Sequence, residues 1–210
     1  MRVRTNFLMR KKRVRMEEIM ENAKRYRNEE VTDYHPKLPE IIQLTESICS
    51  MKIVEKLKQA GVEYMFVERE AFHMVGRRCV TPDGGGAWGV ARGDGTMETM
   101  MELQTGNPFC GLCFGFFEDG SNDNMVAVEY RDNVEGLDSF DYPAHKWLAY
   151  VLSGRTSEDL LGNAWWYINN KLLDELGIQK DALPTMEAYV EWDTENDKGS
   201  VEICIPYIDK

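Results

Sequence analysis

The chain has 210 residues, 43% of them hydrophobic and 10% aromatic, with a formal net charge of −11. That length allows one sizeable core, or a domain of about 150 residues plus an extension, and the composition excludes an intrinsically disordered chain. No apolar run approaches the roughly 18 residues of a membrane span, and no apolar signal-peptide core follows the basic N-terminus, so a soluble, cytoplasmic protein is expected.

The charge is unevenly spread. Arg2, Arg4, Arg10, Lys11, Lys12, Arg13 and Arg15 form a basic arm free of acids, and the remainder carries a net negative charge. An acidic body disfavours binding to a phosphate backbone and suits cationic partners or plain solubility. The arm itself reads as a solvated tail, with contact to nucleic acid or an acidic surface as the alternative. The five cysteines, Cys49, Cys79, Cys110, Cys113 and Cys204, are scattered through apolar segments, which fits a reducing compartment better than a disulfide framework. Cys110 and Cys113 form a CxxC. The run continues as strand and has no second ligand pair, so buried structural cysteines are expected over a redox or zinc motif.

Along the chain, Met16, Ile19, Met20 and Ala23 are spaced for an amphipathic helix over 16 to 30. Pro36 and Pro39 break it, and a second helix is predicted from about Glu46 to Ala60, ending at Gly61. From Val62 to Val80 the texture is strand-like. Pro82-Asp83-Gly84-Gly85-Gly86 reads as a flexible loop; it lacks the Gly-Lys-Ser/Thr ending of a phosphate cradle. A short helix is predicted over Thr96 to Gln104, then strands near 110–117 and 124–131 joined by a turn-rich link. The order repeats: a strand over 143–152, a helix from Ser157 to Leu176 capped by Thr156 or Ser157 and stopped by Gly177, then strands near 184–192 and 200–207. Strand, helix, strand, strand thus appears twice. The expected class is α+β, with duplicated modules on one antiparallel sheet, two main helices and an N-terminal helical extension.

One residue stands out chemically. Glu187 is an acid inside the otherwise apolar strand Met186-Glu187-Ala188-Tyr189-Val190, where an ionised carboxylate must be paired, protonated or available to a cation unless it sits on a wet sheet face. Strand alternation groups Glu187, Tyr189 and Glu191 on one face. Trp165 and Trp166 are adjacent and cannot both face one way; Trp147 and Tyr150 have opposite strand parity. For each aromatic, ordinary core packing is the competing reading.

The order of Pro184-Thr185-Met186-Glu187-Ala188-Tyr189, the Ile205-Pro206 ending, the helix segment Ala164-Trp165-Trp166-Tyr167-Ile168, and the strands Tyr142 to Tyr150, Val67 to Gly76, Cys110 to Phe117 and Asn124 to Arg131 resembles the GyrI-like, AraC-type effector-binding domain. The resemblance spans about residues 62 to 208. It divides the chain into a basic arm and helical extension, 1–61, and an effector-binding domain, 62–210. It implies a pseudo-twofold sheet with a groove between its halves and a ligand-facing acid at Glu187. A subset of Trp147, Tyr150, Trp165, Trp166 and Tyr189 would supply the walls, and Glu129, on a strand read as comparable in the first module, is a second candidate acid. An acid in an aromatic-walled cavity binds organic cations by charge neutralisation and cation–π contact.

The leading expectation is a sensor of small hydrophobic cations, of transcription-regulator type. The alternatives are a hydrolase using Glu187 as general acid or base, and a gyrase-inhibitor-like module with a protein partner. Two helices in some 60 upstream residues are too few for the paired helix-turn-helix unit of a full AraC-type regulator, which puts DNA binding by this chain in doubt. No cofactor is expected, and His35, His73 and His145 lack metal-like spacing.

Overall fold

The computed structural model describes residues 64–103 and 106–210, together with the backbone of 42–44. The basic arm, the two predicted upstream helices, Cys49 and His35 lie outside the described residues. The first strand, β1, is Ile42–Leu44, followed by β2 (Tyr64–Arg69) and β3 (Phe72–Thr81). Helices α1 (Gly84–Gly93) and α2 (Thr96–Leu103) lead to β4 (Phe109–Phe116), β5 (Asn122–Glu129) and β6 (Asp138–Tyr142). The second half runs through β7 (His145–Gly154), α3 (Leu160–Tyr167), a π-helical stretch (Ile168–Leu172) and α4 (Leu173–Glu175). Strands β8 (Ile178–Lys180), β9 (Thr185–Asp193) and β10 (Lys198–Asp209) close the chain.

The fold is α+β. Its sheet has the order β1-β2-β7-β10-β9-β4-β5-β3-β6, antiparallel throughout except for the β1–β2 pair, with β8 against the end of β10. The duplication expected from the element order is present. One module is β3, α1 and α2, β4, β5; the other is β7, α3, β9, β10. They meet at the central β9–β4 pair. Each module is preceded by a strand that pairs with the other module: β2 joins β7, and β6 joins β3. Both exchanges pass through two-residue links, Glu70-Ala71 and Pro143-Ala144, and such short connections force the two ends of the sheet together.

The sheet curls in response. Trp147 on β7 packs against Phe72 on β3 and Tyr142 on β6, with ring centroids 5.9 and 5.1 Å apart, although β3 and β7 stand five places apart in the sheet. The concave interior is filled by Val67, Met74, Cys110, Leu112, Met125, Trp147, Met186 and Cys204. The outer face carries the helices. Ile168, Leu172 and Leu173 cover Leu148, Val201 and Ile203; Ala87, Ala91 and Met100 cover Val75, Val126 and Val128. Strand β10 is buried from Gly199 to Tyr207 because it is central and covered on both sides, which is why it reads as an almost unbroken apolar run.

Three local expectations are corrected, and one strand was not foreseen. The glycine run is the first turn of α1: Asp83 caps it, its side chain accepting from the Gly86 N–H at 2.8 Å, and Ala87 and Ala91 bury against the sheet. That cap and burial outweigh the roughly 1 kcal/mol that each glycine costs in a helix. The long helix begins at Leu160 behind Asp159 in the left-handed region (φ 49°). Thr156 and Ser157 form a separate turn, in which the Ser157 N–H and hydroxyl donate to Asp197. The region read as one strand from Tyr142 to Tyr150 is split at Pro143-Ala144 into β6 and β7. Strand β8, three residues long, was beneath the reach of pattern. Gly177, at φ 66°, ends the helical segment as expected.

Arg69 of β2 and Glu129 of β5 form an ion pair at 2.6 Å across the curl, with the Arg69 side chain 2% exposed and its guanidinium 3.1 Å from the Phe72 ring centroid. Removing one partner strands a buried charge. Glu129→Ala is expected to lower stability by about 3–5 kcal/mol in urea unfolding; a loss below about 1 kcal/mol would show that the pair does not brace the curl.

Candidate functional site

The central strand pair places Glu187 directly across from Gly111, Tyr189 across from Phe109 and Cys113 across from Thr185. Residues opposite one another in a sheet point to one side, so the row Tyr150, Ile203, Glu187, Gly111 and Val126 lies on the outer, helix-bearing face. Glu187 therefore faces the groove between α1 and α3. The Trp165 Nε1–H donates to Glu187 Oε1 at 2.5 Å, and the Tyr189 hydroxyl donates to Oε2 at 2.7 Å. Both oxygens of a half-buried carboxylate thus accept a hydrogen bond from an aromatic side chain.

The two helices contribute one ring each. Trp165 comes from α3, whereas Trp88 comes from α1 and meets Tyr189 edge-on with centroids 4.9 Å apart. A third indole, Trp192, also meets Tyr189 edge-on, with centroids 5.5 Å apart. Gly111 is the floor. A methyl group built on it would lie 3.6 Å from the Tyr189 ring, 3.7 Å from Glu187 Oε2 and 3.9 Å from the Trp88 ring, so any larger side chain would fill the space that these three groups enclose. The duplication makes Gly111 the counterpart of Glu187 in the first module, and the site therefore holds one acid at its pseudo-twofold axis instead of two.

The sequence-predicted residues divide clearly. Glu187, Trp165 and Tyr189 are in direct contact. Tyr150 shares their face two strands away and packs with Tyr167 at 6.3 Å. Trp166 points outward and is 59% exposed. Trp147 is wholly buried in the concave interior, behind the sheet from Glu187. Glu129 also lies on that inner side; β5 corresponds to β10, not to β9, so its strand is not the comparable one. Glu129 contributes, with Phe72, His73, Tyr130, Asp141 and Tyr142, to a separate concavity of about 1100 Å³.

Glu191 does not join Glu187. The register slips between Ser200 and Val201, so that Tyr189 pairs with Val201 and Glu191 with Ser200, leaving Val190 as an extra residue. This β-bulge reverses the alternation and turns Trp192 to the groove side. Trp192 was hidden by the bulge and Trp88 by the glycine-rich helix; the usable signal for Trp88 was its isolation as the sole aromatic residue between Phe72 and Phe109. Glu202, the other acid of the terminal hairpin, is buried on the inner face with the Cys204 thiol 3.4 Å from its Oε1. Cys113, half-buried on the groove face, is held up as a neutral thiol, chiefly by desolvation and also by the Glu187 charge. Cys110 is fully buried on the inner face, so the two cysteines do lie on opposite sides. Among the described residues no cluster of three or more His, Cys, Asp or Glu could hold a metal ion, and no helix is long and apolar enough to cross a membrane.

Residues 62–208 match the model of the GyrI-like small molecule binding domain, and the chain belongs to that family. Among solved structures it is similar to SAV2435 bound to tetraphenylphosphonium (TM-score 0.58, 19% identity, 70% of this chain and 94% of that one). It is also similar to a putative bacterial transcription regulation protein from Staphylococcus aureus MU50 (0.53, 20%, 70% and 99%). A third likeness is to EcmrR in a complex with DNA (0.53, 14%, 92% and 71%). At these identities the likeness is one of fold. No curated protein matches the chain.

Burial and the adjacent Glu187 charge push the Tyr189 phenol above its ordinary range. Above about pH 10 the unfolded chain therefore releases this proton before the folded one does, and stability falls as pH rises. Glu187→Gln should bring the phenol down toward its ordinary value, seen as earlier phenolate absorbance in an ultraviolet titration with Tyr189→Phe as the blank; unchanged titration would separate the two groups. Gly111→Leu is expected to shift the near-ultraviolet circular dichroism of the Tyr189 and Trp88 rings while leaving the far-ultraviolet spectrum unchanged; an unchanged near-ultraviolet spectrum would show that the three groups do not enclose this space.

Proposed function

We propose that this protein is an effector-sensing domain of the transcription-regulator kind whose ligand is a hydrophobic organic cation bound in the Glu187 groove. The observation that carries this reading is the state of the Glu187 carboxylate. Each oxygen already accepts a hydrogen bond from Trp165 or Tyr189, so the groove offers a negative charge and ring faces more than it offers free lone pairs. A ligand suited to it supplies positive charge without needing to donate hydrogen bonds, which describes a quaternary ammonium or phosphonium ion better than a primary amine.

The magnitudes are adequate. Opposite unit charges about 5 Å apart attract by about 3 kcal/mol at an effective dielectric constant near 20, before discounting for the groove's partial exposure. Each aromatic face adds about 0.5–2 kcal/mol. With burial of the ligand's apolar rings added at about 25 cal/mol per Å², the sum suits micromolar sensing once the entropy lost on binding is subtracted. The structural likeness to a protein whose bound molecule is tetraphenylphosphonium supports this class of ligand, and the likeness to transcription regulators supports the sensing role.

Calorimetric and tryptophan-fluorescence titration with tetraphenylphosphonium, and with neutral triphenylphosphine oxide for comparison, tests the reading. Saturable binding of the cation, weakened about 10–100-fold by Glu187→Gln while the neutral compound is unaffected, is expected. Equal affinity of wild type and variant for the cation would overturn the assignment of Glu187. Chromatography of the same mixtures would reveal any turnover and so favour a hydrolase instead.

A further inference from the structure

Trp165 is engaged on two fronts. Its N–H donates to Glu187, and the ammonium of Lys180 lies 4.7 Å from its ring centroid. Lys180 is the last residue of β8; pairing with Tyr207 of β10 holds its backbone, and its exposed side chain reaches the Trp165 ring. No carboxylate pairs with it among the described residues. One indole therefore carries a cation over its ring and an anion at its N–H edge.

Resting on the Glu187 groove as the ligand site, we propose that Lys180 sets its specificity: it selects ligands that carry an anionic group beside the cationic centre and discriminates against bare organic cations. A bare cation that stacks on Trp165 competes with Lys180 for the same π-system and meets a like charge about one indole width, roughly 7 Å, away. At an effective dielectric constant near 20, and after screening, such repulsion amounts to roughly a tenfold loss of affinity. A carboxylate extending from the ligand toward Lys180 turns the same charge into an attraction. Desolvation lowers the Lys180 pKa, as expected of an ammonium partly withdrawn from water beside a ring; Cys113 nearby acts in the opposite sense.

Two probes with one scaffold isolate the effect: pentyltriphenylphosphonium, a bare cation, and (carboxybutyl)triphenylphosphonium, which adds only a carboxylate. Calorimetry on the full chain should show wild type preferring the carboxylated probe about tenfold. Lys180→Met should reverse the preference, with the bare cation gaining and the carboxylated probe losing about tenfold, while Lys180→Arg keeps it. Glu187→Gln should weaken both probes without reversing their order. A ratio of affinities unchanged by Lys180→Met, with both probes still bound, would overturn the role of Lys180 and leave the groove intact. Failure of both probes to bind either wild type or Lys180→Met would overturn the groove as a cation site and this inference with it.

Discussion

The hydrogen-bonded register of β9 on β4 is the constraint from which the groove follows. It joins the two modules at their common axis, sets Glu187 across from Gly111, and brings a helix from each module to the same outer face. A one-residue slip in that pairing would turn Glu187 inward among Cys110, Leu112 and Cys204, putting a carboxylate in the apolar interior, and would send Met186 and Ala188 to the outer face. Burial of the apolar inner face thus fixes the polar outer site. The exchanged strands β2 and β6 reinforce this, because neither module can pivot about the central pair without breaking a ladder with the other.

Glu187 illustrates how a family with one fold can tune a charge. The carboxylate is not stranded in a dry core, and among the described residues no salt bridge neutralises it; two aromatic donors hold it in the middle of a cross-strand row. Hydrogen bonds to a charged acceptor are among the stronger ones, and here they also fix the orientation of two rings that border the groove. Electrostatics and shape are consequently one feature. Removing the charge would also loosen Trp165 and Tyr189, so the effects of Glu187 and its donors are not expected to be additive.

Much of this was legible in the sequence, for physical reasons that can be named. The repeated element order and the apolar run of β10 follow from burial, which leaves a strong compositional trace, and Glu187 is conspicuous because acids are rare in such runs. Tyr189 was placed correctly because two residues along a regular strand share a face. Trp147 was not separable from Tyr150 by content, since an aromatic side chain suits a core and a binding wall equally; only the curl, a property of the whole sheet, sends Trp147 inside. Glu129 looked like an acid in a strand for the same reason as Glu187, but its partner Arg69 is 60 residues away in sequence. Trp88 sits in a helix whose propensity is poor and whose stability comes from Asp83 and from packing against β3 and β5, neither of which a local pattern records.

The bulge at Val190 has a consequence for how such a groove can change over time. Because side chains alternate along a strand, one inserted residue decides whether the lip beyond Tyr189 presents Trp192 or Glu191. A residue inserted into β10 between Ser200 and Val201 would pair with Val190, remove the bulge and exchange an aromatic lip for an acidic one while leaving Glu187, Tyr189 and Trp165 in register. The chemical character of the groove's lip can therefore shift by a change in chain length, without altering any residue that touches the central carboxylate.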